Sequence, residues 1–194
     1  MRTDLDISTS QGAGRRTAAV GVWDPVVRLF HWSLAASIGL AWFTSTSRGV
    51  IHNEFGYAAA ALVGVRLLWG LFGTRYARFS QFCRHPARIL GYLRDILTGR
   101  EARYIGHNPA GGAMIVALLA MISVTAFTGW MMTTDRYFGV DWVQITHKYC
   151  AYAVIAMVCM HLCGVVLASF RHRENLVKAM LTGKKREPAE GDVA

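Results

Sequence analysis

The chain has 194 residues, 53% of them hydrophobic and only 17% charged, and its mean hydropathy is positive. That length allows one domain, and that composition excludes an ordinary soluble domain and a disordered chain. A formal charge of +9 raises nucleic acid as a partner, but the Lys and Arg residues gather in polar segments beside apolar stretches, so a membrane protein with no nucleic-acid partner is expected.

Residues 1–22 are polar and mixed in charge over most of their length and read as an N-terminal tail. They contain no continuous apolar run of the kind a cleaved signal peptide carries, so the first apolar helix is expected to remain in the mature protein. Four apolar stretches follow, near 27–46, 55–73, 111–132 and 145–170. Each is close to the length of about 20 residues with which a helix crosses the hydrocarbon. The expected fold is all-α: an integral membrane four-helix bundle over residues 23–173, followed by a C-terminal tail over 174–194.

A short hairpin, Ser45-Thr46-Ser47-Arg48-Gly49, joins the first two spans, and a second one containing Asp135, Arg136, Tyr137 and Asp141 joins the last two. The central stretch 74–110 is longer and polar. Within it, Ile89, Leu90, Leu93, Ile96 and Leu97 fall on one helical face among Arg84, Arg88 and Arg94, which predicts a short amphipathic helix at the membrane interface between spans 2 and 3. Asn108 and Pro109 then announce the third span as N-cap and first helical residue.

Every Lys and Arg except Arg48, Arg66, Arg136 and Lys148 lies in the N-terminal segment, the central stretch or the C-terminal segment. Positive charge is retained on the cytoplasmic side, so both termini are expected to be cytoplasmic. Trp23, Trp69, Trp130 and Trp142 fall near span ends, where an amphipathic ring is favoured. Arg66 is left inside the second span and needs a partner there.

Four of the seven histidines, His31, His52, His147 and His161, lie in spans or at their ends. An intramembrane ionisable residue calls for a function, and neutral imidazole is a good axial ligand of haem iron. His147 and His161 are 14 residues apart, which on a helix leaves them roughly 40° from alignment and about 21 Å apart in depth. One helix can therefore present a ligand to each of two stacked cofactors. The topology pairs His31 with His161 at the inner side and His52 with His147 at the outer side, giving two haems b, each bound non-covalently and bis-histidine. Six-coordinate iron has no open position, which favours electron transfer over chemistry at the metal.

His85, His107 and His172 are expected to be solvated, with His107 the substitute ligand should His31 fail. Arg66 lies 14 residues after His52; it either gives the inner haem a counter-charge for a propionate or extends to the inner headgroups. There is no C-x-x-C-H, so covalent c-type haem is excluded. Cys159 and Cys163 flank His161 closely in sequence but read as packing residues, and Cys83 and Cys150 complete no disulfide framework. Gly39, Gly56, Gly64, Gly129 and Gly164 serve either close approach of a haem or helix, or plain helix packing.

The run Trp23-Asp24-Pro25-Val26-Val27-Arg28-Leu29-Phe30-His31-Trp32, with His52-Asn53-Glu54-Phe55-Gly56-Tyr57, Arg66-Leu67-Leu68-Trp69-Gly70, Gly106-His107-Asn108-Pro109-Ala110-Gly111-Gly112 and Thr128-Gly129-Trp130, resembles the bacterial cytochrome b561 family and the related b-type cytochrome subunits of nickel-iron hydrogenases. The resemblance covers about residues 20–175. It implies a diheme cytochrome of the bacterial inner membrane that exchanges electrons between the quinone pool, ubiquinone included, and a redox partner. Its ligand positions coincide with the four histidines. The short first hairpin departs from members with a longer segment there.

Two other functions stand beside this one. One is superoxide:ubiquinone oxidoreduction at the outer haem, aided by Arg48, Arg136 and Lys148. The other is a haem-containing membrane anchor that docks a hydrogenase, a dehydrogenase or cytochrome c. No catalytic residue is expected; Arg66, Trp69 and His107 are the candidates for a quinone site.

Overall fold

The structure is a computed structural model that describes residues 19–47 and 49–193. In chain order it contains β1 (Ala19–Gly21), α1 (Pro25–Phe43), α2 (Val50–Phe72), α3 (Phe79–Phe82), α4 (Pro86–Thr98), α5 (Pro109–Met131), α6 (Asp141–Arg171), α7 (Leu176–Thr182) and β2 (Lys184–Arg186). Helices α1, α2, α5 and α6 are long and apolar enough to cross a membrane. They form the helical membrane bundle that the hydropathy predicts.

All four helices start before their apolar runs, because side-chain hydropathy is blind to capping. Asp24 caps α1, its Oδ1 accepting the Val27 N–H at 2.9 Å, with Pro25 as the first helical residue. Asn108 does the same for α5, accepting the Gly111 N–H at 2.7 Å ahead of Pro109, as expected. Asp24 also joins two elements: its Oδ2 accepts the Trp69 indole N–H at 3.4 Å and the Thr74 hydroxyl, tying the start of α1 to the end of α2.

The close helix seams are α1 with α2, α2 with α5, and α5 with α6. Among the described residues no comparable seam joins α6 to α1 or α2. The apolar core, Leu34, Ala59, Val63, Leu119, Ile122 and Val154, draws on all four helices. Val154 lies midway in sequence between His147 and His161, so the core fills the layer between them. Large apolar residues such as Leu68, Phe72, Val166 and Phe170 face outward, as a lipid-facing surface requires.

The amphipathic helix between spans 2 and 3 is α4. Tyr92 is buried, whereas Leu90, Leu93 and Leu97 are exposed, and Gly99 closes the helix in the left-handed region at φ 69°.

The segment after α6 folds back on the bundle. Strand β2 pairs antiparallel with β1, Ala19 opposite Arg186 and Gly21 opposite Lys184. The Gly183 carbonyl accepts the Val22 and Trp23 N–H groups at 2.8 and 3.1 Å. Gly183 sits at φ 79°, and a Cβ there would lie 2.6 Å from the Trp23 carbonyl oxygen, so glycine is required. Arg103, buried, pairs with Glu174 at 2.9 Å and with Asp192, while Arg171 pairs with Glu101 at 2.7 Å. This two-stranded piece is absent from the expected all-α reading. Its strands are three residues long, and Lys184-Lys185-Arg186 carries no alternating apolar pattern to announce it.

Candidate haem site

The histidines meet in pairs across the missing seam. His31 of α1 and His161 of α6 have ring centres 6.5 Å apart, and His52 of α2 and His147 of α6 have theirs 6.1 Å apart. Imidazoles that face one metal ion from opposite sides through bonds of about 2 Å hold their ring centres about 6 Å apart. Both separations are of that size.

In the second pair the backbone orients both rings. His52 Nδ1 lies 2.8 Å from the Ala41 carbonyl oxygen and His147 Nδ1 lies 2.9 Å from that of Thr125. A proton on each Nδ1 makes these hydrogen bonds and leaves Nε2 unprotonated, with a lone pair available to a metal ion. Thr128 Oγ1, 3.3 Å from His147 Nδ1, adds a polar neighbour. Sequence reasoning misses all three partners: two are backbone atoms, and Thr128 carries no signal beyond its place before Gly129. In the first pair, His31 Nδ1 is buried with no hydrogen-bond partner.

Space beside the rings follows from glycine. A Cβ at Gly56, one turn beyond His52, or at Gly164, nearly one turn beyond His161, would meet nothing within 4 Å, and the same holds at Gly39 and Gly64. Close helix packing is therefore not the reason for these four. Gly129 differs, since a Cβ there would lie 3.0 Å from His147 Cε1.

Among the described residues no group of three or more His, Cys, Asp or Glu side chains could hold a metal ion. Two facing imidazoles suit a metal whose remaining ligands come from a planar macrocycle. The open seam and the ring separations fit haem. Cys159 and Cys163 are exposed on the bundle surface and take no part.

Arg66 is buried, 3% exposed, so it does not extend to the headgroups. Its Nη2 donates to the Ala77 carbonyl at 3.0 Å, and its guanidinium carbon lies 5.0, 5.8 and 6.0 Å from the ring centres of Phe79, Phe82 and Phe30. Its Nη1 is buried without a hydrogen-bond partner.

His107 is not solvated, contrary to expectation. Its ring is held between Trp23 and Phe82, with centre separations of 4.5 and 4.8 Å, and its Nδ1 is buried without a partner. Burial, then the charges of Arg66 and Lys185, push its pKa down to about 3, with a smaller contribution from His161. Its place beside the capping Asn108 suggests the interface, and Trp23 and Phe82, which enclose it, are distant in sequence.

At the other end of the bundle, Arg136 and Lys148 lie over the rings of Tyr137 and Tyr152 at 5.3 and 5.9 Å, and Arg48 lies outside the described residues. Trp130 and Trp142 are half exposed, as membrane-interface residues would be.

The family profile for prokaryotic cytochrome b561 matches residues 22–183. A probable Ni/Fe-hydrogenase B-type cytochrome subunit of Rhodobacter capsulatus is 25% identical, with 88% of this chain and 83% of that protein covered. One of the same description from Azotobacter vinelandii is 22% identical, with 94% and 95% covered. No solved structure gives a significant match.

Proposed function

The chain belongs to the prokaryotic cytochrome b561 family and is a b-type membrane cytochrome that transfers electrons, and from that premise we propose that it holds two haems b and links the quinone pool to a redox partner. His31 and His161 would hold one haem, and His52 and His147 the other. The observation that carries this reading is the approach of both pairs to 6.5 and 6.1 Å between α6 and the α1–α2 pair, where among the described residues no close helix seam forms.

When bound, the haems supply reversible one-electron chemistry. The chain's residues do the rest. Ala41 and Thr125 carbonyls fix the tautomers of His52 and His147, and the apolar core between the layers keeps water from the path. Arg66 supplies a buried positive charge for a haem carboxylate beside the His31 and His161 layer.

The bacterial inner membrane is the location this implies, with the transmembrane domain spanning residues 23–173 and the end that bears the termini in the cytoplasm, because most Lys and Arg gather there. The hydrogenase subunit names of the two relatives favour a hydrogenase as the redox partner.

The test is a pyridine haemochrome titration of the purified protein followed by anaerobic addition of quinol. Two haems b per chain, both reduced by quinol, are expected. A single haem contradicts the paired-ligand reading, and two haems that quinol leaves oxidised contradict the quinone link.

A further inference from the structure

The residues around His107 form a continuous line of cations and rings that the four-helix bundle does not explain. Lys185 Nζ, from β2, lies 5.5 Å from the Trp23 ring centre. Trp23 packs on His107, His107 packs on Phe82, and Phe82 lies under Arg66. Two of these groups, His107 and Arg66, each keep a buried nitrogen with no hydrogen-bond partner. Orphaned buried donors are costly, by roughly 1–3 kcal/mol each and more for a charged group, so native structures seldom retain them without a ligand.

Charge tells which ligand suits them. Asp24 is already engaged by Val27, Trp69 and Thr74, and Glu174 and Asp192 are engaged by Arg103. Burial pushes Lys185 down to about 8 despite those last two carboxylates, as a cation short of counter-charge would be. The site therefore holds two unpartnered buried nitrogens, Arg66 Nη1, which is a donor, and His107 Nδ1, which is one in the tautomer that carries its proton there, with Lys185 beyond Trp23, and a carboxylate suits it.

We propose that His107 and Arg66 jointly bind the carboxylates of the haem held by His31 and His161, with Lys185 reinforcing the site from the folded C-terminal segment. This rests on the two-haem reading above and extends it to residues outside the spans. His107 donates from Nδ1 and Arg66 from Nη1, while Trp23 and Phe82 fix the imidazole plane between them. The C-terminal strand is thereby part of the cofactor site, since Gly183 and the β1–β2 pair set Lys185 against Trp23. His107 and Lys185 are positioning residues for the haem, not iron ligands.

The experiment is a reduced-minus-oxidised infrared difference spectrum of the full-length holoprotein. Cells are fed 5-aminolevulinate carrying carbon-13 at its carboxyl carbon, so that the haem carboxylates are marked. A label-sensitive carboxylate band is expected in the wild type, displaced in both His107→Leu and Lys185→Met and restored toward wild type in His107→Gln, which keeps an N–H donor. The Lys185→Met variant keeps the test decisive if His107→Leu fails to assemble. A labelled band at the same position in the wild type and in Lys185→Met overturns the proposal. So does a displaced band that ignores the label, because the anion then comes from lipid or solvent. Fewer than two haems in the wild type overturns the underlying reading, whereas two haems with an unmoved band overturn this inference alone.

Discussion

His52 and His147 stand perpendicular to each other, 90° between ring planes and 6.1 Å between centres, each anchored through Nδ1 to a backbone carbonyl. Mutation of side chains cannot remove those carbonyls, but a side chain added at Gly129 would meet the same ring. Replacing Gly129 with Ala places a Cβ 3.0 Å from Cε1 of His147, and the anchored ring must turn to admit it. The expected outcome is a shift in the low-spin electron paramagnetic resonance signal of one haem, the other unchanged. Two unshifted signals would show that the ring is free to move.

The buried charges on the C-terminal segment predict an acid-labile contact. Burial raises the Glu174 carboxyl, but the Arg103 guanidinium and the Arg186 N–H more than offset it and hold its pKa below the usual 4.5; Asp192 is likewise lowered below 3.8 by the Ala189 N–H and Arg103. Folded values below unfolded ones mean that this stabilisation is complete above the ordinary carboxylate range and is lost as pH falls through the lowered values. Protection of the amides of residues 174–193 against hydrogen exchange, taken relative to the intrinsic rate at each pH, should therefore fall below about pH 4. At neutral pH, Arg103→Ala should release the same segment, because it leaves the half-buried carboxylates of Glu174 and Asp192 without their shared cation. Unaltered exchange in that variant would mean the segment is held by β1–β2 alone.

Gly112 is where α5 meets the chain entering from α3. A Cβ at this position would lie 2.5 Å from the Phe82 carbonyl oxygen, which is backbone and cannot rotate away. Gly112→Ala should lower stability in detergent by about 1–3 kcal/mol, read as a lowered thermal midpoint. Because Phe82 touches His107 and Arg66, the same variant should disturb the haem of the His31 and His161 pair before the other.

Helix α4 presents Leu93 and Leu97 outward, 43% and 85% exposed. A spin label at position 97 in reconstituted vesicles should be more accessible to oxygen than to a water-soluble nickel reagent, and a label at Arg94 less so. The reverse order would place α4 in water.

The four spans and the two caps at Asp24 and Asn108 are legible in the sequence, because apolar length and capping chemistry are local properties. The pairing of histidines is legible for a related reason: charge asymmetry orders the helices in depth, and a separation of 14 residues fixes two layers on one helix. His107 and Lys185 are not legible. The burial of Lys185 depends on a two-stranded pair between residues more than 160 positions apart, whose polar strands carry no pattern, and that of His107 on Trp23 and Phe82, which only tertiary packing brings over it. Arg66 stands between the two cases: its place in a span announces a partner, but its enclosure by Phe30, Phe79 and Phe82 is set by tertiary packing.

The central claim is that ligands act in two pairs, and single substitutions test it directly. Haem spectra of purified His31→Ala, His52→Ala, His147→Ala and His161→Ala should fall into two classes, with His31→Ala and His161→Ala losing one haem species and His52→Ala and His147→Ala losing the other. Loss of the His52 species on changing His31, or four variants that keep both haems, would contradict the account.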